Sequence, residues 1–215
     1  TPREMLKSPV FWLLFIMMSL MSTSGLMVTS NVGPFAKEFK VADVMVLGMA
    51  ALPLSLTLSR VTNGMTRPFF GWVSDHIGRE MTMFIAFALE AAAILVLFAF
   101  IDRPALFVVL TGLVFFGWGE IFSLFPAVSG DTFGPKYAAT NNGLLYTAKG
   151  TSSLLIPLAN VLKHSAGSWV PVLWIAGALP IFAAVLAILV LSPMRRRMLD
   201  RVVADEPDRK VGQAA

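Results

Sequence analysis

The chain has 215 residues, of which 56% are hydrophobic and only 14% charged, with a mean hydropathy of +0.74. A soluble domain carries about 25% charged residues, so a single water-facing globule is excluded as the plan. The net charge of +4 is not a nucleic-acid signature, because much of the basic excess follows Ser192, and the lack of cysteine removes disulfides, thiolate metal sites and thiol catalysis.

Long apolar blocks run at 9–31, 43–73, 81–101, 104–129, 138–162 and 169–192. Each is long enough, at 1.5 Å rise per residue, to cross about 30 Å of hydrocarbon. The predicted fold class is an all-α membrane protein with six transmembrane helices. No charge occurs between Lys7 and Lys37, so the first block is too long for the apolar region of a signal peptide. The connections carry breaker residues: Gly33-Pro34, His76-Ile77-Gly78-Arg79, Asp102-Arg103-Pro104, Gly134-Pro135-Lys136 and Ser165-Ala166-Gly167.

Six crossings put both ends on one side. With the ends inside, Arg3, Lys7, Arg79, Lys136, Arg195, Arg196, Arg197, Arg201, Arg209 and Lys210 are cytoplasmic, against Lys37, Lys40, Arg103 and Lys163 outside. That excess of basic residues favours cytoplasmic ends, although the tail supplies most of it. The tail from Arg195 onward is expected to grip anionic lipid headgroups and then fray into solvent. Blocks one to three and four to six are further expected to form two inverted three-helix repeats, which would place binding groups near the midplane.

Three cations, Arg60, Arg67 and Lys149, fall inside the apolar blocks. A charge at bilayer depth costs about 2.5–3.5 kcal/mol on insertion scales, so it usually marks a substrate or ion path. Counted from Asp75, Arg67 lies about 12 Å and Arg60 about 22 Å along its helix, and Lys149 lies about 17 Å from Ala138. Seven residues separate the arginines, two turns, so both face one way. Lys149 belongs to a polar stripe of Asn142, Tyr146, Lys149, Ser153, Asn160 and His164. An all-cationic lining points to an anion. The competing reading pairs the cations with Glu90 and Glu120, but three cations face two carboxylates.

Glu120 is open between structural partner, proton carrier and site residue, Arg60 between structural and vestibular roles, and Glu90 reads as structural. In Phe115-Phe116-Gly117-Trp118-Gly119-Glu120 the glycines allow close helix approach. Trp118 either stacks on a planar anion or fills a groove, and Pro126 is expected to kink the inner end. Ser19, Ser22 and Thr23 read as helix-to-helix glue, and His164 as interfacial. Gly71, Asp75, Gly78 and Arg79 form G-x-x-x-D-x-x-G-R: close packing at Gly71, a charged latch at Asp75 and Arg79, and a tight reversal at Gly78.

This loop, between the second and third blocks, resembles the signature loop of the major facilitator superfamily. The segments TPREMLKSPVFWLLF (1–15), NGMTRPFFGWVSDHIGR (63–79), FFGWGEIFSLFPAVSGDTFG (115–134) and NNGLLYTAKGTSS (141–153) resemble the C-terminal half of bacterial oxalate/formate antiporters. The resemblance implies a six-helix half, with residues 1–8 as the inter-half linker and 193–215 as a cytoplasmic tail, in a bacterial inner membrane. The other six helices would come from upstream sequence or a second chain. It further implies that Arg67 and Lys149 hold the substrate's carboxylates and that Trp118 belongs to an aromatic cage. Phe122 stands where the oxalate carrier has tyrosine, Tyr146 where it has tryptophan, Glu120 replaces a small residue and Arg60 adds a cation, so another small carboxylate is as good a candidate as oxalate.

The expected activity is carboxylate exchange by alternating access. A proton-coupled symporter using Glu120 is the alternative. An intramembrane enzyme is remote, since the chain has no G-x-S-x-G with a partner histidine and no H-E-x-x-H. No cofactor, metal or nucleic acid is expected, and the expected partners are a small carboxylate anion, membrane lipid and the second half.

Overall fold

The computed structural model describes residues 1–200, and within them helix ends fall where the sequence supplies caps and breakers. Helix α1 (Pro2–Lys7) is capped by Thr1, which exchanges hydrogen bonds with Glu4 in a capping box. Helix α2 (Pro9–Thr29) opens on a proline, whose missing N–H costs nothing at the first turn. A short helix α3 (Val32–Glu38), which the apolar pattern does not announce, follows.

Two-residue strands β1 (Met45–Val46) and β2 (Met49–Ala50) then pair antiparallel. They are joined by Leu47 and Gly48, at φ 52° and 82°, the positive-φ pair of a tight hairpin turn. This hairpin takes the first part of the block at 43–73, so helix α4 runs over Ala51–Ile77 instead. Gly78, at φ 90° and ψ 157°, ends α4 and makes the reversal assigned to it. Helix α5 (Arg79–Ala99) begins at once.

Two later blocks are broken where a proline dictates it. Helix α6 (Pro104–Trp118) passes through a 3-10 turn over Gly119–Phe122 into α7 (Leu124–Phe133). Pro126 cannot donate to the carbonyl of Phe122 and its ring crowds that carbonyl, so the break falls one turn earlier than a kink at Pro126 itself. The block at 138–162 is likewise two helices, α8 (Ala138–Ser153) and α9 (Ile156–Ala166). Pro157 stands four residues beyond Ser153, where α8 stops. Helix α10 (Val170–Leu186) continues through a π-helical stretch, Ala187–Leu191, and helically to Asp200.

Among the described residues, four helical segments are long and apolar enough to cross a membrane: Pro9–Thr29, Arg79–Ala99, Pro104–Phe133 and Val170–Asp200. Helix α4 has 27 residues, about 40 Å of rise, but Arg60, Arg67 and its hydroxyl residues make it too polar for that group. Packing runs from α4 to α6, α5, α10, α2 and α8 in turn, with no extensive pairing of α8 back to α4 among the described residues. The main packing follows an open arc with α4 and α8 at its ends, and α6–α7 also reaches across it to α2 and α8.

One core, around Met18, Phe87 and Phe125, fills the end where α4 passes into α5. A second, around Phe35, Phe107 and Trp169, fills the other end. Between them, small residues and hydroxyls join the helices. Thr62 and Thr66 of α4 each donate to α6, to the carbonyls of Gly112 and Phe116, at 2.8 Å. Ser24 donates to the Ala176 carbonyl of α10 at 2.6 Å, and Ser152 to the Ser19 carbonyl at 3.0 Å. The glue in α2 is thus Ser24 with the Ser19 backbone, while the Ser22 hydroxyl is buried without a partner. A Cβ on Gly117 would lie 2.9 Å from the Glu90 Cβ, so α5 and α6 touch through that glycine.

At one end of the bundle charged groups tie three segments together. Arg79 binds Asp75 at 2.7 Å and Asp131 at 2.9 Å, and also donates to Ser74. Arg195 binds Glu80 at 2.6 Å and donates to Thr132 at 2.9 Å. Arg195 is therefore engaged by protein rather than left for headgroups, whereas Arg196 and Arg197 are exposed. The remainder of the expected frayed tail, with Arg201, Arg209 and Lys210, lies outside the described residues. Gly71 has open space where a Cβ would stand, so the close packing expected there is not met within this chain.

Two outcomes are expected for thermal unfolding of the full-length protein in detergent. Gly117→Ala must push α5 from α6 and should destabilise by about 1–3 kcal/mol, the usual penalty for overpacking, whereas Gly33→Ala, which meets open space, should change little. Glu80→Gln and Arg195→Gln should each lower the apparent Tm, with the double variant no worse than the poorer single, because each single change already breaks the pair.

Candidate functional site

Phe122 closes the 3-10 turn that follows α6, and two helices bring a cation to it. From α4, the Arg67 guanidinium carbon lies 4.7 Å from the Phe122 ring centroid. From α8, the Lys149 Nζ lies 4.4 Å from the same centroid and 5.2 Å from the Trp118 ring. The two cations are thus no farther apart than the sum of their distances to one ring. Tyr146, one turn before Lys149, stacks on Phe122 with centroids 6.3 Å apart and planes at 19°. Trp118 meets Phe122 edge to face at 6.0 Å, and packs against Gly25 of α2, which leaves no room for a Cβ.

Aromatic faces attract cations by about 0.5–2 kcal/mol, the larger figure when water is excluded. That suffices to hold the two side chains in place but not to neutralise them. Among the described residues, no carboxylate lies within ion-pair distance of Arg60, Arg67 or Lys149. The reading in which Glu90 and Glu120 quench these cations is therefore not met. Glu90 is fully buried and accepts from Ser24 at 3.4 Å through one oxygen, leaving the other without a partner. Glu120 is fully buried with neither oxygen hydrogen-bonded.

Arg60 is exposed two turns from Arg67. It lines an open pocket of about 240 Å³ with Asn63, Phe115 and Trp118. Asn63, which the motif reading passed over, donates to the Phe115 carbonyl at 3.2 Å; its place three residues after Arg60 and four before Arg67 was the available signal. The polar stripe is interrupted at Leu154-Leu155, so Asn142, Tyr146 and Lys149 share one helix while Asn160 and His164 sit on another. His164 is exposed in the last turn of α9. The signature residues Asp75, Gly78 and Arg79 belong to the charged end, apart from the aromatic cluster.

α4 is centred on Gly64, so Arg60 and Arg67 straddle its middle at about 6 Å and 4.5 Å of rise. Lys149 stands four residues before the end of α8, and Phe122 lies inside the interruption of α6–α7. Side chains and backbone at such discontinuities are the usual material of ion and substrate sites in membrane helices.

The profile of the Major Facilitator Superfamily matches residues 17–212. The chain is 36% identical over 155 residues to the oxalate:formate antiporter of Oxalobacter formigenes, covering 70% of this chain and 35% of that protein. It is 30% identical over 209 residues to an uncharacterized 38 kDa protein of a 23S RNA operon in Thermoproteus tenax, covering 96% of this chain and 50% of that one. Over 155 residues it is 26% identical to the uncharacterized MFS-type transporter YhjX of Escherichia coli, covering 72% and 37%. The chain spans half or less of the length of these relatives. It is an integral membrane protein and belongs to the Major Facilitator Superfamily.

Proposed function

We propose that the chain forms the C-terminal six-helix half of a secondary carrier that exchanges small organic carboxylates, oxalate and formate among them, by alternating access. In this reading α2, α4, α5, α6–α7, α8–α9 and α10 are the six crossings, arranged as two inverted three-helix units. Residues 1–8 join the second half, and both ends are cytoplasmic in a bacterial inner membrane. The open arc supports it, because its two ends, α4 and α8, are the polar helices and need a partner other than lipid. The matched relative named as an oxalate:formate antiporter supports the substrate class.

The observation that carries the proposal is the convergence of Arg67 and Lys149 on Phe122 with no carboxylate in ion-pair distance among the described residues. Arg67 can take a carboxylate through two parallel hydrogen bonds, and Lys149 adds a mobile point charge. Each charge-assisted bond contributes about 1.5–3 kcal/mol. Phe122, Tyr146 and Trp118 give the planar anion faces to lie against. Empty, the two cations repel and hold water, so closure over them is costly; an anion neutralises them and lets the halves rock. That difference favours exchange over leak.

In proteoliposomes containing the full-length carrier, Arg67→Gln and Lys149→Gln should each reduce oxalate or formate counterflow at least a hundredfold while the protein still purifies and inserts. Wild-type exchange by either variant would remove the assignment. A proton-coupled symporter is the second reading, favoured by the buried and partnerless carboxyl of Glu120. If it holds, uptake follows an imposed pH gradient and Glu120→Gln uncouples the two; exchange indifferent to the gradient and to this substitution eliminates it.

A further inference from the structure

We propose that Arg60, Asn63, Phe115 and Trp118 form a second carboxylate subsite, so that the preferred substrate is a polycarboxylate whose carboxylates are separated by two or more carbons rather than oxalate. This rests on the reading of Arg67 and Lys149 as a carboxylate site, and extends it. Arg60 is exposed near the middle of α4, with no carboxylate in ion-pair distance among the described residues. A cation there that served only structure would carry the cost of its depth in the membrane without a compensating partner.

The pocket it lines measures about 240 Å³, several times the roughly 30 Å³ that one water occupies. A carboxylate with part of its carbon chain fits that space. Trp118 belongs both to this pocket and to the Lys149 cation contact, so the pocket adjoins the first subsite. Phe115 stands edge-on to Trp118 at 6.4 Å and supplies an apolar wall.

Spacing sets the ligand class. Arg60 and Arg67 are two turns apart, about 10 Å of rise, whereas Arg67 and Lys149 share one ring. Oxalate, whose carboxylates are bonded to each other, can engage the Arg67–Lys149 pair but leaves Arg60 unneutralised. A longer anion places one carboxylate at that pair and lays its chain across Trp118. Its next carboxylate then meets the Arg60 guanidinium, a planar fork suited to two parallel hydrogen bonds. The three cations match a tricarboxylate or an extended dicarboxylate better than a two-carbon dianion.

The test uses the full-length carrier in proteoliposomes, with formate, oxalate, malonate, succinate and tricarballylate competing against a labelled exchange substrate. Arg60→Gln should raise the half-inhibitory concentrations of succinate and tricarballylate at least tenfold relative to that of oxalate, and Arg60→Lys should raise them by a smaller factor. An unchanged ratio, or a uniform loss across all five anions, would overturn the subsite. If Arg60→Gln fails to reconstitute, thermal shifts of the wild type decide: tricarballylate should stabilise more than oxalate at equal concentration, and the reverse order refutes the proposal. Should none of the five compete with the wild type, the carboxylate assignment of Arg67 and Lys149 fails first; competition by formate and oxalate with no Arg60 effect sinks only the subsite.

Discussion

Two unneutralised cations sharing one aromatic ring set the terms for the rest of this molecule. In hydrocarbon an isolated charge is expensive, and here Arg67 and Lys149 both lean on Phe122 with no acid in ion-pair distance among the described residues. Their tolerance requires water or anion beside them, hence a face of the bundle that lipid does not cover. The open arc provides that face, since α4 and α8 stand at its two ends without extensive pairing between them. The apolar helices α2 and α5 each pack on α10, and the cations stand on the helices at the arc's ends.

Proline and glycine chemistry builds the floor. Pro126 frees the Phe122 carbonyl and turns the chain there, which offers the ring to both neighbouring helices. Gly117 lets α5 close on α6 and Gly25 makes room for Trp118, so the aromatic wall is fixed from behind by backbone contact. Hydroxyls of Thr62 and Thr66 then fasten α4 to α6, each such bond adding about 0.6–2 kcal/mol in a membrane. At the far end Arg79 and Arg195 clamp the turns around Gly78 and Asp131.

Much of this was legible in the residues. The cations, their shared helix face, the aromatic run before Glu120 and the reversal at Gly78 all follow from spacing and residue type. Other features were not. The hairpin at Met45–Ala50 sits inside an apolar run, and hydropathy cannot separate a helix start from a strand pair there. The break after Ser153 was available in Pro157 but was masked by the apolar residues around it. The pairing of Arg195 with Glu80 links residues 115 apart in sequence, and no local pattern encodes such a meeting. Residue counting allowed Glu90 and Glu120 to quench the cations; only three-dimensional packing, with both acids buried on the α5–α6 side, separates the two sets.

The charge pattern also explains why α4 and α8 do not look like ordinary membrane helices. On the proposed function, the polar residues of these two helices would face the second half, and their lipid exposure would be correspondingly small. On the same proposal, Arg67 and Lys149 hold one anion together. Solid-state NMR on the full-length carrier, with a ¹³C-carboxylate substrate and ¹⁵N labels at the Lys149 ammonium and Arg67 guanidinium, measures both distances in one sample. Simultaneous separations of about 4 Å or less, the range of charge-assisted hydrogen bonds, are the predicted result. An anion close to one nitrogen only, or to neither, would contradict it.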